Sequence, residues 1–146
     1  MENPSARHHY LVAGADLDTA EGRAKGLSHI AEDFLTVGKL PAPDTSGFPT
    51  YFLLYHAIEA ALKSYLARTG MTDRELRKLR HDIKVIAAEA EQRGFTLHAD
   101  EKMVLNAFEC GDLEPSVAMR YFYFGSPSCP TVENLTCVAE AIVSRA

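Results

Sequence analysis

The sequence predicts an all-α fold. Five segments place apolar residues at the three- and four-residue spacing of a helix face, and only one segment has the composition of extended chain. Hydrophobic residues make up 47% of the 146 residues and charged residues 24%, a balance typical of a folded globular protein. A chain of this length forms one domain, 1–146, and buries enough apolar surface to fold without disulfides.

The first helix is predicted to begin at Asp18 and to end at Gly38. Asp18 is a typical N-cap, and Glu21 follows three residues later, as in a capping box. The preceding residues, about 1–16, show no periodicity and are expected to form a flexible arm. Residues 39–50 contain three prolines and a glycine, which predicts a loop.

The second helix is predicted from Tyr51 to Arg68, over the segment "YFLLYHAIEAALKSYLAR". It is apolar over most of its circumference, so we expect it to be the central helix of the core. Three polar residues nevertheless lie within it at offsets of three and four, which places them on one face of the helix: His56, Glu59 and Lys63.

Three further helical segments follow. Thr72 and Glu75 form a capping box that opens a short charged helix. Apolar residues at helical spacing then continue to Gly94, and the pattern leaves open whether 72–93 is one helix or two with a break near Arg80. The remaining helices are predicted over about 99–110 and 132–145.

Four consecutive aromatic residues, Tyr121 to Phe124, precede a Gly-Ser-Pro turn. This segment is predicted to be extended chain or an edge strand. Core lining or a dimer surface is the favoured use of these rings. Stacking on a nucleic-acid base beside Arg120 is the alternative.

The polar face of the second helix is expected to meet the start of a later helix at His81 and Asp82. Because its surroundings are so apolar, we expect a partly buried network of five residues with a structural role in preference to isolated surface pairs. The network comprises His56, Glu59, Lys63, His81 and Asp82. A His-Glu pair at this spacing also resembles half of a carboxylate-bridged di-metal site, but no second pair in the required order exists, so no metal and no cofactor are predicted.

The net charge of −5 argues against nonspecific nucleic-acid binding by the whole surface. Residues 68–84, however, contain six Lys or Arg against three Asp or Glu. This excess of cations predicts either solvated helix faces or a phosphate-binding edge for RNA or a nucleotide. The candidate binding residues are Arg77, Lys78, Arg80, Lys84 and, further along the chain, Arg120.

Three cysteines without a CxxC motif indicate reduced thiols and no disulfide framework. The N-terminus has no signal-peptide core, and no run of 18 apolar residues occurs. The sequence therefore predicts a cytoplasmic protein with no membrane contact.

The order of three motifs carries a family resemblance. "YHAIEAALKSYL" is followed by "LRKLRHDIKVIAAEAEQRG", then by "MRYFYFG" and a final helix. From about Leu53 onward this arrangement resembles the HEPN superfamily. The resemblance implies an antiparallel four-helix bundle, here with an extra short helix and the extended aromatic segment. It also implies a homodimer and a nucleotidyltransferase-like partner protein in a toxin-antitoxin or defence system.

Many proteins of that superfamily are metal-independent ribonucleases that use an Arg and a His four to six residues after it. Arg74 and His81 are separated by six residues, and the residue after Arg74 is Glu75 where an Asn, Asp or His is usual. Arg77 lies closer to His81, one residue short of the family spacing. We therefore expect a binding module, with a ribonuclease that uses His81 and Arg74 or Arg77 as the alternative.

Overall fold

The computed structural model describes residues 18–40, 47–108 and 130–146. This part of the chain contains six α-helices and no β-strand, which confirms the all-α prediction. The helices are α1 (Ala20–Gly38), α2 (Phe48–Arg68), α3 (Asp73–Lys78), α4 (Ile83–Gln92), α5 (Ala99–Asn106) and α6 (Val132–Arg145). None of them is long and apolar enough to cross a membrane. The N-terminal arm and the segment 120–124, with its Arg and four aromatic residues, lie outside the described residues.

Helix α2 is the centre of the fold, as its composition predicts. It packs against α1, α3, α4 and α6. Leu54, Ile58 and Leu62 on this helix are completely buried. Because α2 is surrounded on most sides, the polar residues in its middle are forced to find partners within the protein.

Small residues allow α1 to pack closely on α2. The hydroxyl of Ser64 donates to the backbone carbonyl of Ala24 at 2.8 Å. A Cβ atom on Gly38 would lie 3.1 Å from the side chain of Leu54, so a larger residue at the C-terminal end of α1 would require Leu54 to shift. The N-cap of α1 is Thr19, one residue later than predicted, and its Oγ1 accepts from the amide of Gly22 at 2.9 Å.

The segment 72–93 forms two helices, which answers the question that the pattern left open. The predicted capping box is present, with Glu75 bonded to the amide of Thr72 at 2.8 Å. Arg80 then adopts a φ of 52°, in the left-handed region, and this turn separates α3 from α4. We call residues 79–82 the α3–α4 connector.

Two helix boundaries differ from the prediction. Helix α2 begins at Phe48, three residues earlier than expected, because Gly47 takes a φ of +75° as N-cap and a proline is tolerated in the first turn. Helix α5 ends at Asn106, whereas the pattern extended it to 110. The boundaries of α6 agree with the predicted range 132–145.

Candidate functional site

A buried carboxylate on α2 is the centre of the site. Glu59 is 5% exposed. Its Oε2 lies 3.1 Å from His56 Nδ1, and its Oε1 accepts from Lys63 Nζ at 2.7 Å. His81, on the α3–α4 connector, places its Nδ1 2.8 Å from the same Oε1. The structure therefore joins three residues of the α2 polar face to one residue of the connector.

The electrostatics keep Glu59 ionised. Burial alone would raise the pKa of its carboxyl group, but the hydrogen bonds from His56 and Lys63, with the charges of Lys63 and His81, outweigh burial and lower the pKa to about 2. An ionised carboxylate only accepts hydrogen bonds, so both ring nitrogens facing it are donors. In the neutral form of the His81 ring, the proton is therefore on Nδ1 and Nε2 carries the lone pair.

Two further residues of α2 hold the connector. Lys63 Nζ also donates to the backbone carbonyl of Arg80. The hydroxyl of Tyr55, a fully buried residue, donates to the carbonyl of His81 at 2.7 Å and accepts from the amide of Ile83 at 3.2 Å. With the Glu59–His81 contact, four hydrogen bonds fasten the connector and the first residue of α4 to the core helix.

The role of Tyr55 was missed by the sequence analysis. Its signal was available, because a tyrosine within an apolar helix carries a hydroxyl that needs a partner when buried. Asp82 was expected in the network, but the structure gives it a different role. Its Oδ1 accepts from the amides of Lys84 and Val85 at 3.0 and 3.2 Å, so Asp82 is the N-cap of α4.

Neither arginine proposed for catalysis bonds to the network within the described residues. Arg77 Nε donates to Asp73 at 2.7 Å, and the arginine side chain is 80% exposed. Arg74 is also exposed. Among the described residues, His81 is in contact with a carboxylate and an imidazole and not with a guanidinium.

Three exposed basic residues lie on the connector or next to it. Lys78, Arg80 and Lys84 are exposed and form no ion pair within 4.0 Å among the described residues. The acidic residues of this segment have other bonds: Asp73 pairs with Arg77, Asp82 caps α4, and Glu75 bonds to Thr72. The pKa of Glu75 is lowered first by its hydrogen bonds with Thr72, and the charge of Lys78 also contributes to the lowering. We call Lys78, Arg80 and Lys84 the connector cations. Of the other two predicted binding residues, Arg77 pairs with Asp73, and Arg120 lies outside the described part of the chain.

A cleft of about 600 Å³ is lined by residues of α1, α2 and α3. Lys63 of the network is one of its lining residues, and Arg77 is another. Its volume is within the range of small-ligand sites. The side chains of Leu27, Ile30 and Leu76 contribute apolar surface to the cleft. The cleft thus combines apolar surface with nearby cations.

A second buried carboxylate, which the sequence analysis did not single out, joins α5 to α6. Glu101 is 2% exposed, pairs with Arg145 and accepts from the amide of His98 at 2.8 Å. Arg145 also donates to the carbonyl of Thr96 at 3.0 Å. Among the described residues, this carboxylate caps the start of α5 and pairs with one cation on α6, which indicates a structural role.

The arrangement around Glu59 can do two things chemically. It fixes the connector, and it presents a half-exposed imidazole whose orientation is set by a buried carboxylate. Comparison of this chain with protein-family models, with curated proteins and with solved structures found no match.

Proposed function

We propose that this chain is a HEPN-like binding module that recognises the phosphates of single-stranded RNA through the connector cations. The proposal rests on one observation: exposed cations that form no ion pair within 4.0 Å among the described residues lie on or next to a segment held to the core helix by four hydrogen bonds. An antiparallel four-helix arrangement belongs to the same proposal, as does a role beside a nucleotidyltransferase-like protein in a toxin-antitoxin or defence system.

The physical basis is preorganisation. Cations on a fixed backbone lose less conformational freedom on binding than cations on a mobile loop. The rest of the chain is acidic, with a net charge of −5, so a polyanion is attracted only where cations are concentrated. For three phosphate contacts on a single strand, log K should fall with log salt with a slope of about −2.

Fluorescence anisotropy with a labelled single-stranded RNA in EDTA tests this proposal. The double variant Lys78→Glu/Lys84→Glu should weaken binding at least about tenfold and flatten the salt dependence. The double variant Lys25→Glu/Arg68→Glu is the control, because it makes the same charge change at two exposed positions outside the connector. Equal losses in both proteins would show that only net charge matters and would rule out a connector site.

A metal-independent ribonuclease is the second candidate, favoured by the Glu59–His81 contact. A carboxylate that accepts from Nδ1 holds the ring in the tautomer whose Nε2 can take a proton, and the His81 side chain is 43% exposed. We expect binding without cleavage, since no arginine contacts His81 in the described residues. RNA cleavage in EDTA that disappears in His81→Ala would favour the enzyme instead.

We also propose a homodimer. Large apolar side chains are exposed in the described residues, among them Ile30, Val37 and Met103. The aromatic residues of 121–124, outside that part, would add to such a surface. Sedimentation at micromolar concentration should give twice the 16.1 kDa of one chain, and a mass of one chain would contradict the proposal.

A further inference from the structure

We propose that His56, Glu59 and His81 form a binding site for one transition-metal ion, with Zn²⁺ as the representative ion. One ligand atom from each residue lies within 4.8 Å of the other two. The sequence predicted no metal because it did not offer the second pair in the required order that a di-metal site needs. The third ligand instead comes from the α3–α4 connector, which the fold brings to α2.

The chemistry of the three groups fits such an ion. Two imidazole nitrogens and one carboxylate oxygen are ligands of Zn²⁺, Co²⁺, Ni²⁺ and Cu²⁺. At bond lengths of about 2.1 Å, the ligand atoms of a tetrahedral Zn²⁺ ion are about 3.4 Å apart, so the widest separation, within 4.8 Å, has to shrink by at most about 1.4 Å. His81 is half-exposed on a connector, so it can make that movement and leave a coordination position open to water.

Both histidines already direct Nδ1 at the carboxylate of Glu59, at 3.1 and 2.8 Å. A metal ion would occupy the place of the two Nδ1 protons between the rings and the carboxylate. The ring centroids of His56 and His81 are 6.1 Å apart. No change in the helices is required, because the ligands on α2 are already on the correct face.

The second ring nitrogen of His56 supports the site independently of the distances to Glu59. His56 Nε2 is buried and has no hydrogen-bond partner among the described residues. With the proton on Nδ1, Nε2 is a buried lone pair near the rings of Phe34 and Phe52, whose centroids are 5.7 and 4.4 Å from that of His56. A metal on Nδ1 moves the proton to Nε2, where an N–H beside an aromatic ring is a weakly favourable contact.

Lys63 gives the site a distinctive property. Its ammonium group is 2.7 Å from Glu59 Oε1 and repels a second cation there. Lys63→Gln removes this charge and should tighten metal binding, while the carboxylate keeps its two histidine partners. A histidine pair on the surface would show no such gain.

The test is calorimetric titration of ZnCl₂ into the metal-stripped, full-length chain without an affinity tag. We expect one equivalent of Zn²⁺ to bind, His81→Ala to weaken binding at least about tenfold, and Lys63→Gln to strengthen it. His29→Ala is the matched control, because His29 and Glu32 have the same spacing as His56 and Glu59 but are exposed and have no third ligand in the part of the chain that the structure describes. This control should bind Zn²⁺ like the wild type.

A second measurement needs no variant. Histidine nitrogen NMR of the wild-type chain should show Zn²⁺ shifting the Nδ1 signals of His56 and His81 and leaving those of His29 in place. Failure to bind in the wild type, equal binding in His81→Ala, or loss of binding in a His8→Ala/His9→Ala variant would overturn the proposal. No RNA is present in these experiments, so their outcome is independent of the proposed function.

Discussion

His81 Nδ1 lies 2.8 Å from Glu59 Oε1, although the two residues are 22 positions apart in the chain. Glu59 is in the middle of the core helix, and His81 is on the connector between α3 and α4. The contact therefore makes the position of a surface segment depend on one buried carboxylate.

Replacing the carboxylate should be costly. Glu59→Ala leaves Lys63, whose side chain is only 13% exposed, without its anionic partner, and should lower the free energy of unfolding by about 2–5 kcal/mol. Glu32→Ala is the control, since Glu32 faces His29 in the same spacing at the surface, and should cost less than about 1 kcal/mol. Urea unfolding measures both. If both variants lost the same small free energy of unfolding, the network around Glu59 would contribute no more to stability than an ion pair on the surface.

Stability should fall in acid through Glu59. Its pKa is lowered from 4.5 to about 2, so the folded protein binds this proton less readily than the unfolded chain. The resulting stability, about 3 kcal/mol, is fully present above pH 4.5 and is lost as pH falls towards 2.

Urea unfolding of the EDTA-treated protein between pH 2 and pH 6 measures this effect. Glu59→Gln cannot ionise, so its stability should change less over this interval than that of the wild type. Parallel stability curves for the two proteins would show that other carboxyl groups cause the acid sensitivity.

The hydroxyl of Tyr55 should contribute measurably to the free energy of unfolding. Tyr55→Phe leaves the carbonyl of His81 and the amide of Ile83 without a partner in the protein interior, at a cost of about 1–3 kcal/mol. Tyr65→Phe, which removes an exposed bond to the carbonyl of Arg93, should cost less than about 1 kcal/mol. Hydrogen exchange should also show faster opening at the Ile83 amide in Tyr55→Phe only. Unchanged exchange there would contradict the proposed anchoring.

The left-handed residue of the connector should prefer glycine. Arg80 has a φ of 52°, a conformation that costs an L-residue roughly 1 kcal/mol, so Arg80→Gly should be neutral or stabilise by up to about 1 kcal/mol. Lys78→Gly, two residues earlier in α3, should instead destabilise by about 0.5–1 kcal/mol. Thermal unfolding gives both signs. If Arg80→Gly destabilised the protein as much as Lys78→Gly, the left-handed conformation of residue 80 would not be costly for the arginine.

Local patterns in the sequence determined much of the fold. The all-α class, the central place of α2, the capping box at Thr72 and the range of α6 follow from apolar spacing and capping residues within a few positions of each other. These features depend on short-range geometry, which a single sequence contains. The same short-range signals failed by one residue at Thr19, where two adjacent side chains can each act as N-cap.

Only the tertiary structure decided which groups meet. The spacing of His56, Glu59 and Lys63 placed them on one face, but the partner of that face depends on where the chain turns at Arg80. That turn brings His81 to the carboxylate and leaves Asp82 to cap α4. His81 and Asp82 are adjacent and yet have unrelated roles. The reason is that the backbone conformation of one residue changes the direction of the chain after it, and the apolar spacing of the sequence does not predict such a change.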